Sequence, residues 1–206
     1  MILACIQTTT GPSVRDNVAL IAPLIRAAAA EGATLIVLPE ATSQAFGQGR
    51  LDTQAAGLDG EFATQLAALA KETGTTIVAG TFRPADTREV EGKTIHRVFN
   101  TALVTGADVH TGYDKIHTYD AFNYRESDTV RPGDELLLFE HEGTKVGVAV
   151  CFDIRFPEQF RELARRGAEV IVVPTSWADG EGKLEQWRLL ARARALDSGA
   201  FIAAAG

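Results

Sequence analysis

The apolar positions of this chain repeat with two different periods. In four segments they recur every three or four residues, which is typical of helices with one buried face. Between these segments stand short continuous apolar runs, the pattern of strands buried on both faces: "TLIVLP", "TIVAGTF", "LLLFE", "KVGVAV", "EVIVVP" and "AFIAAA". The predicted inward faces of the four helices are Val14, Val18, Ile21, Ile25 and Ala28; Phe62, Leu66 and Leu69; Phe156, Phe160 and Leu163; and Leu184, Trp187 and Ala191. Helices that alternate with buried strands predict a layered α/β fold.

Glycines and prolines mark where these elements begin, bend and end. Pro23 predicts a kink in the first helix, and Gly74 closes the second. Pro157 fits the first turn of the third helix, and Gly167 ends it. The strands "RVFNTALVT" and "VHTGYDKIHTY" flank the tripeptide Gly-Ala-Asp at positions 106–108, so they predict a hairpin.

One pattern occurs twice. "GATLIVLPEA", which starts at Gly32, and "GAEVIVVPTS", which starts at Gly167, share Gly-Ala-x-x-Ile-Val-x-Pro, and each follows a predicted helix. The chain therefore uses a helix-then-buried-strand unit twice, with polar residues at the carboxyl end of the strand.

Length and charge narrow the class of protein. A chain of 206 residues suffices for one domain with a hydrophobic core, and no linker divides it. The formal net charge of -7 argues against nucleic acid or an anionic membrane as a partner. No apolar run approaches the roughly 18 residues of a membrane span, and "MILACIQTTTG" lacks the basic region of a signal peptide. We predict a single cytoplasmic domain over residues 1–206.

The two cysteines differ in their surroundings. Cys5 and Cys151 lie far apart in the chain, which fits reduced thiols better than a disulfide. Cys5 stands inside an apolar run, so we expect it to be a small buried core residue. Cys151 instead stands where the strand "KVGVAV" gives way to a turn and a helix.

Three polar residues share this kind of strand-end position. Glu40 follows "LIVLP", Lys115 lies late in "VHTGYDKIH", and Cys151 ends "KVGVAV". In layered α/β proteins, ligands bind in the crevice outside the carboxyl ends of the strands. A carboxylate there can act as a general base, a lysine supplies positive charge to a thiolate or oxyanion, and a cysteine is a nucleophile. Each residue alone is more often structural; together they predict a catalytic site.

These residues also carry a resemblance. "LPE" around Glu40, "YDKIHTYD" around Lys115 and "GVAVCFDIRFPE" around Cys151 resemble the three signature segments of the nitrilase superfamily, the carbon–nitrogen hydrolases. The segments stand in the family's order, and the resemblance covers the whole chain. It implies a four-layer α-β-β-α sandwich and a Glu-Lys-Cys triad without a metal or other cofactor. It further implies cleavage of a non-peptide C–N bond of a small amide through a thioester.

The resemblance assigns individual roles. Glu40 would be the general base and Cys151 the nucleophile, while Lys115 and the backbone N–H of Phe152 would bind the oxyanion. The family's second glutamate corresponds to Glu126 in "NYRESD", which would hold Lys115 and the substrate amine in place.

Within the family, "CFDIRFPE" and "EQWRLLARARALDS" resemble the small-amide hydrolases, the ω-amidase and deaminated-glutathione amidase group. This chain departs from the pattern of its relatives in two features. That group carries a His-Trp pair where this chain has Gln186-Trp187, which leaves the choice of substrate open. The family also continues for some tens of residues beyond the strand that ends at Gly206. We therefore expect the chain to lack the C-terminal portion of the fold.

The substrate-binding predictions rest on three residues. An arginine at the position of Arg155 binds the substrate carboxylate in carbamoylases of this family, so the resemblance implies a carboxylate-bearing amide. The alternative is that Arg155 pairs with Asp153 or Glu158 to brace the turn. Trp177 and Tyr119 are predicted to line the pocket, although each is also compatible with a core position.

For Phe46 and Tyr124, the sequence likewise leaves open whether the side chain lines the pocket or lies in the core. His117 would share the strand face of Lys115, which makes a papain-like Cys-His pair a second hypothesis, but one that leaves Lys115 without a role. Asp153 is predicted to be a turn or salt-bridge residue rather than a catalyst.

Two further alternatives and a prediction about assembly follow from the resemblance. The enzyme could hydrolyse N-carbamoyl amino acids or β-ureido acids instead of simple amides. A catalytically silent interaction protein is the rival from another class, but the intact triad argues against it. The family's assembly habits imply a homodimer or larger homo-oligomer, and "FPEQFRELARRG" offers an apolar stripe with Arg161, Arg165 and Arg166 for that contact.

Overall fold

Two β-sheets pack face to face, and each is covered on its outer side by two helices. The computed structural model describes residues 1–90, 92–121 and 124–206. The helices are α1 (Val14–Ala30), α2 (Glu61–Thr73), α3 (Pro157–Arg165) and α4 (Lys183–Ser198). The strands are β1 (Leu3–Cys5), β2 (Leu35–Val37), β3 (Thr76–Val90), β4 (Lys93–Thr105), β5 (His110–Asp114), β6 (Asp120–Ala121), β7 (Tyr124–Arg125), β8 (Leu137–His141), β9 (Thr144–Val148), β10 (Val170–Pro174) and β11 (Phe201–Ala205).

The first sheet has the strand order β1-β2-β3-β4-β5. Its first three strands are parallel, β4 runs antiparallel to β3, and β5 runs antiparallel to β4. The predicted hairpin between β4 and β5 is confirmed. The segment "TIVAGTF" forms only the first half of β3, because the strand continues to Val90 past an irregularity at Pro84. The polar composition of that second half hid it from the apolar pattern.

The second sheet has the order β11-β10-β9-β8, with the first three strands parallel and β8 antiparallel to β9. The repeated sequence pattern supplies equivalent strands in the two sheets, β2 and β10. Both run parallel to their neighbours on either side, and both point their carboxyl ends toward the same region of the molecule.

Three apolar layers hold the sandwich together. Because side chains alternate along a strand, Leu35 and Val37 of β2 face the second sheet, whereas Ile36 faces α1 and α2. Ile171 and Val173 of β10 face the other pair of helices in the same way. The predicted four-layer α-β-β-α sandwich is confirmed.

The helices follow their predicted faces in most places. Val18, Ile21 and Ile25 are buried on α1, which starts at the cap Ser13 and continues through Pro23. On α2 the buried residues include Phe62, Leu66 and Leu69, and Gly74 ends the helix with a left-handed conformation. On α3, Pro157 opens the helix and Phe160 and Leu163 are fully buried.

Two sequence-based expectations about burial are wrong. Leu184 is 52% exposed, because α4 contacts the core through Trp187 and Ala191 further along the helix. Cys5 is exposed as well. It is the last residue of β1, which pairs with β2 on one side and forms the margin of the first sheet on the other.

The surface predicted for dimer contacts on α3 also differs from expectation. Its apolar stripe packs inward, and two of its arginines, Arg165 and Arg166, are paired with Glu162 of the same helix. Arg161 lies 3.5 Å from Glu158. Among the described residues, no helix is both long enough and apolar enough to cross a membrane.

Candidate active site

The carboxyl ends of β2 and β10 meet at one edge of the sandwich. Glu40 follows β2, Thr175 follows β10 at the matching position of the repeated pattern, and Ser176 is the next residue. The backbone N–H of Ser176 donates a hydrogen bond of 2.9 Å to Oε2 of Glu40. The two halves of the fold are thus joined at Glu40, a buried carboxylate.

The backbone around Glu40 needs a glycine on the neighbouring strand. Ala41 has φ 57°, a left-handed conformation that non-glycine residues seldom adopt. Gly80 of β3 passes so close to this turn that a Cβ on it would lie 2.6 Å from Cα of Glu40. The N–H of Gly80 donates to the carbonyl of Pro39, and its own carbonyl accepts from Ser43. Gly80 therefore lets β3 hold the turn that carries Glu40.

Lys115 lies directly beyond β5 and is shared between two carboxylates. Its Nζ is 3.1 Å from Oε1 of Glu40 and 2.9 Å from Oε2 of Glu126, and all three side chains are buried. Burial alone lowers the pKa of the ammonium, but Glu40 and Glu126 outweigh that effect and leave the pKa above its ordinary value. Lys115 is therefore a charged amine at neutral pH.

Glu126 is fixed from two sides. It starts a 3₁₀ helix, Glu126–Asp128, and the N–H of Tyr119 donates a 2.6 Å bond to its Oε2. Asn100 of β4 donates from Nδ2 to Glu40 over 2.8 Å and to Glu126 over 3.0 Å. Asn100 was missed in the sequence, because nothing in "RVFNTALVT" distinguishes a bridging asparagine from an ordinary strand residue.

Cys151 occupies a strained turn. It begins the 3₁₀ helix Cys151–Arg155 with φ 44°, and its Sγ lies 3.8 Å from the carbonyl oxygen of Ser176. Burial raises the pKa of the Cys151 thiol well above its ordinary value, and the Glu40 carboxylate raises it further, whereas Lys115 lowers it. Ser176, like Asn100, was not among the predicted site residues.

The structure thus brings Glu40, Lys115, Glu126 and Cys151 together from four separate stretches of the chain. Phe152 follows Cys151 in the first turn of the same 3₁₀ helix. N–H groups in a first turn have no acceptor within the helix, so such a group is available to an oxygen bound beside Cys151.

A cleft opens over these groups. One part, of about 430 Å³, is lined by Glu40, Phe46, Gly47, Lys115, Tyr119, Tyr124, Glu126, Ser176, Trp177 and Ala178. An adjoining part, of about 90 Å³, is lined by Tyr119, Cys151, Phe152, Arg155, Ser176, Trp177, Ala178 and Lys183. Tyr119 and Trp177 line both parts. Phe46 and Tyr124, whose positions the sequence left open, line the larger part.

Trp177 both lines the pocket and packs against other interior side chains, the two positions that the sequence allowed. It walls the cleft, and it also packs on Trp187 with ring centroids 5.0 Å apart and donates from Nε1 to the carbonyl of Lys183. Tyr119 meets the Phe152 ring edge-on at 5.0 Å.

Arg155 makes neither of the two ion pairs considered from the sequence. Its Nη2 donates a 2.6 Å bond to Oε1 of Gln186, and its guanidinium lies over the rings of Phe152 and Trp177. Its Nε is buried, and no described residue accepts a hydrogen bond from it. Gln186 stands where the amidase group has the histidine of its His-Trp pair, and in this chain it contacts Arg155.

His117 and Asp153 form a pair of their own. Nδ1 of His117 lies 2.8 Å from Oδ1 of the fully buried Asp153, and its ring stacks on Phe156 with centroids 3.6 Å apart. This pair gives no support to a papain-like arrangement, in which His117 would contact Cys151. Within residues 1–90, 92–121 and 124–206, no group of three or more His, Cys, Asp or Glu side chains is arranged to hold a metal ion.

Comparisons with known proteins show the family. The family model described as carbon–nitrogen hydrolase matches residues 2–206. A hydrolase of Mycobacterium tuberculosis (strain ATCC 25618 / H37Rv) is 45% identical over 100% of this chain and 72% of its own length. An omega-amidase of Xenopus tropicalis is 32% identical over 98% of this chain and 73% of its own length.

Solved structures give the same result for the fold. A carbon–nitrogen hydrolase superfamily protein of Xanthomonas campestris superposes with a TM-score of 0.81 at 26% identity, over 98% of this chain and 74% of that chain. An amidase of Nesterenkonia sp. superposes with a TM-score of 0.80 at 24% identity, over 98% of this chain and 74% of that chain, a likeness of fold alone.

Proposed function

The chain belongs to the carbon–nitrogen hydrolase family, within the nitrilase superfamily, and from that premise we propose that it hydrolyses a small carboxylate-bearing amide through a cysteine thioester. An amidase-type activity is supported by its similarity to omega-amidases. The thioester route and the substrate class go beyond that similarity. The thioester route is best supported by the position of Lys115, whose Nζ lies 3.1 Å from Glu40 beside a strained and buried Cys151.

The first step in this proposal is proton transfer within the site. Because the pKa of Cys151 is raised, its thiol is neutral before substrate binds. Glu40 takes the thiol proton as the sulfur attacks the amide carbon, and the carbonyl oxygen becomes an oxyanion. General-base assistance of this kind contributes about 10²- to 10⁴-fold to a rate.

The oxyanion is held by two donors in the proposed mechanism. The ammonium of Lys115 and the backbone N–H of Phe152 both lie beside Cys151. One preorganised donor of this type is typically worth about 3 kcal/mol. Glu126 and Asn100 keep Lys115 and Glu40 in position through the bonds described above.

The second half of the cycle returns the enzyme to its starting state. Glu40 passes its proton to the departing amine, ammonia leaves, and the acyl group stays on Sγ as a thioester. Glu40 then takes a proton from a water, whose oxygen attacks the thioester carbon. As the C–S bond breaks, Glu40 gives this proton to Sγ, so that the products are a carboxylic acid and the free thiol of Cys151.

The substrate class is inferred from the smaller part of the cleft. The charged side chains in its lining are Arg155 and Lys183. A guanidinium binds a carboxylate through two parallel hydrogen bonds, and the guanidinium-bearing Arg155 is part of this lining. A small amide with a carboxylate a few bonds from its carbonyl carbon fits this arrangement.

We expect Glu40→Gln, Lys115→Gln and Cys151→Ser each to lower kcat for small amides by at least about 10³-fold, because each removes a group that acts on the reacting atoms. Ammonia release from an amide of a small dicarboxylic acid, measured with an enzyme-coupled assay, tests this expectation.

Thr105→Val is the matched control. Thr105 is equally buried and bonds to His110 at the far end of the β4–β5 pair, so this variant loses a partly buried hydrogen bond without touching the site. Activity within tenfold of the parent in any of the three variants, with circular dichroism of a folded chain, would contradict the proposed triad.

A carbamoyl acid is the alternative substrate, and it predicts a second product. Hydrolysis of an N-carbamoyl amino acid or β-ureido acid releases carbon dioxide together with ammonia. A screen of acid-amides, neutral amides, carbamoyl acids and nitriles, with both gases measured, separates these activities from a catalytically silent protein.

Arg155→Lys tests the carboxylate. We expect KM for acid-amides to rise about 10- to 100-fold with little change for neutral aliphatic amides, because an ammonium cannot form the two parallel bonds. Steady-state kinetics on an acid-amide and a neutral amide of equal chain length measure the difference. An equal loss on both would assign Arg155 to structure and remove the support for an anionic substrate.

A further inference from the structure

The cysteine and the lysine of the site belong to different sheets, and one buried side chain connects their two segments. Cys151 follows β9 of the second sheet, and Lys115 follows β5 of the first. Asp153 stands two residues after Cys151 and is completely buried. It has no role in the mechanism proposed above.

The carboxylate of Asp153 accepts four hydrogen bonds. Oδ1 accepts from the backbone N–H of His117 over 3.0 Å and from its Nδ1 over 2.8 Å. Oδ2 accepts from the hydroxyl of Tyr113 over 2.7 Å and from the backbone N–H of Val150 over 2.9 Å. Tyr113 and His117 stand two residues before and two residues after Lys115.

Tyr113 extends this hydrogen-bond network within the segment around Lys115 and to α3. The hydroxyl oxygen of Tyr113 accepts from the backbone N–H of Ile116 over 3.2 Å and from Nε2 of Gln159 on α3 over 2.8 Å. Burial and the Asp153 carboxylate raise the pKa of Tyr113 well above its ordinary value. The hydroxyl therefore keeps its proton and donates a hydrogen bond to Asp153.

On the other side, Asp153 closes the turn around the cysteine. Its backbone N–H donates to the carbonyl of Val150, and its side chain accepts from the N–H of Val150. Cys151 lies inside this ring of bonds with its φ of 44°. A left-handed cysteine persists only where the surrounding contacts hold it.

We propose that Asp153 is a positioning residue that holds the Cys151 turn against the Lys115 segment, so that the sulfur and the ammonium keep their catalytic separation. The inference rests on the proposed function for the roles of Cys151 and Lys115. It concerns the two segments only, because Asp153 touches neither the substrate cleft nor the reacting groups.

The four donors explain why a carboxylate is needed. Val150 and His117 offer backbone N–H groups that cannot be turned into acceptors, and they face different oxygens of Asp153. An asparagine has the same size but only one oxygen, so its amide group would face a backbone N–H on one side. Asp153→Asn therefore loosens one of the two segments without creating a cavity.

The experiment compares Asp153→Asn with Tyr113→Phe and with the control Thr105→Val, all in a Cys5→Ser background that leaves Cys151 as the one thiol. For Asp153→Asn we expect kcat on an acid-amide to fall about 30- to 100-fold with KM within threefold. We expect the second-order rate constant for alkylation of Cys151 by iodoacetamide to fall at least tenfold. Tyr113→Phe removes one of the four hydrogen bonds to Asp153, and it should lower kcat and the alkylation rate constant about 5- to 20-fold each.

Thr105→Val should change neither quantity by more than twofold. A residue that only supports the fold would lower the melting temperature but leave the alkylation rate of the folded chain unchanged. Values within threefold of the parent for Asp153→Asn overturn the proposal. If Asp153→Asn does not fold, Tyr113→Phe decides in the same way, since it keeps the carboxylate and its bond to Val150.

The alkylation rate also separates this inference from the proposed function. It requires no turnover, so slower alkylation in Asp153→Asn supports the positioning role even if the parent hydrolyses none of the amides tested. Loss of kcat with an unchanged alkylation rate would overturn the positioning of Cys151 while leaving the proposed function intact.

Discussion

Cys151 lies in surroundings that oppose its ionisation. Burial and the carboxylate of Glu40 raise the pKa of its thiol, and the charge of Lys115 offsets only part of this effect. A nucleophile of this kind depends on a base at the moment of attack, which is the task we assign to Glu40. The pKa of Cys151 should therefore respond in opposite directions to removal of the Glu40 charge and removal of the Lys115 charge.

This gives a prediction for the pH dependence of alkylation. In a Cys5→Ser background, the rate of Cys151 alkylation by iodoacetamide should still be rising above pH 9, because a raised pKa places the thiolate at higher pH. Glu40→Gln should move the inflection to lower pH, since the carboxylate raises the thiol pKa. Lys115→Gln should move it to higher pH, since the ammonium lowers that pKa.

Mass spectrometry of the labelled protein at each pH measures the profile. The Cys5→Ser substitution is needed because Cys5 is exposed, contrary to the expectation from its apolar neighbours. Shifts of the same sign in Glu40→Gln and Lys115→Gln would show that the thiol does not respond to both charges.

At the scale of single elements, the site depends on how closely strands approach one another. The turn after β2 carries Glu40 and lies against Gly80 of β3, where the backbones leave no space for a side chain. This contact explains why a short apolar strand such as β2 can end abruptly at Glu40, the proposed general base. The adjoining strand supplies the hydrogen bonds that the turn lacks.

Gly80→Ala should therefore affect activity more than stability. The added Cβ forces the Glu40 turn away from β3, and overpacking of this kind typically costs about 1–3 kcal/mol of folding free energy. We expect kcat to fall about 100-fold through displacement of Glu40. Kinetics and thermal unfolding of the same preparation measure the two effects.

Gly11→Ala is the matched control, because a Cβ at Gly11 meets only Oδ1 of Asn17 at 3.8 Å, an ordinary contact. Its kcat should stay within twofold of the parent. A Gly80→Ala protein with parental kcat would mean that the β3 contact does not position Glu40.

At the scale of the whole molecule, the site exists only where the two sheets meet. The bond from Ser176 to Glu40 joins positions 136 residues apart, and Lys115 and Glu40 are 75 apart. Each sheet with its own helices supplies part of the site. Opening of the sandwich should therefore abolish activity before the helices unfold.

Assembly into a homodimer remains a prediction. The apolar stripe of α3 is used inside the protomer, whereas Leu196 on α4 is 86% exposed. We expect a dimer by light scattering at tens of micromolar, and compare Arg161→Glu with Leu196→Glu. Dissociation by Arg161→Glu supports the contact through α3, and dissociation by Leu196→Glu alone assigns it to α4. A monomeric parent would contradict the prediction.

The sequence by itself determined the elements and much of the site. Apolar periodicity predicted the helices, most strands and a layered α/β fold, because burial requires the matching period in each element. The resemblance to the family then implied the four layers. The strand-end positions of Glu40, Lys115 and Cys151 predicted where polar groups would gather, because carboxyl ends of parallel strands share one edge. The resemblance of their flanking segments added Glu126, which the structure brings beside Lys115.

Only the tertiary structure decided which partners these residues have. Asn100 and Ser176 meet Glu40 through contacts between distant segments, and Asp153 joins two sheets, so no local pattern distinguishes them. The exposure of Cys5 and Leu184 was equally undetermined. Apolar character shows that a residue favours burial, whereas the packing of the other elements decides whether anything covers it.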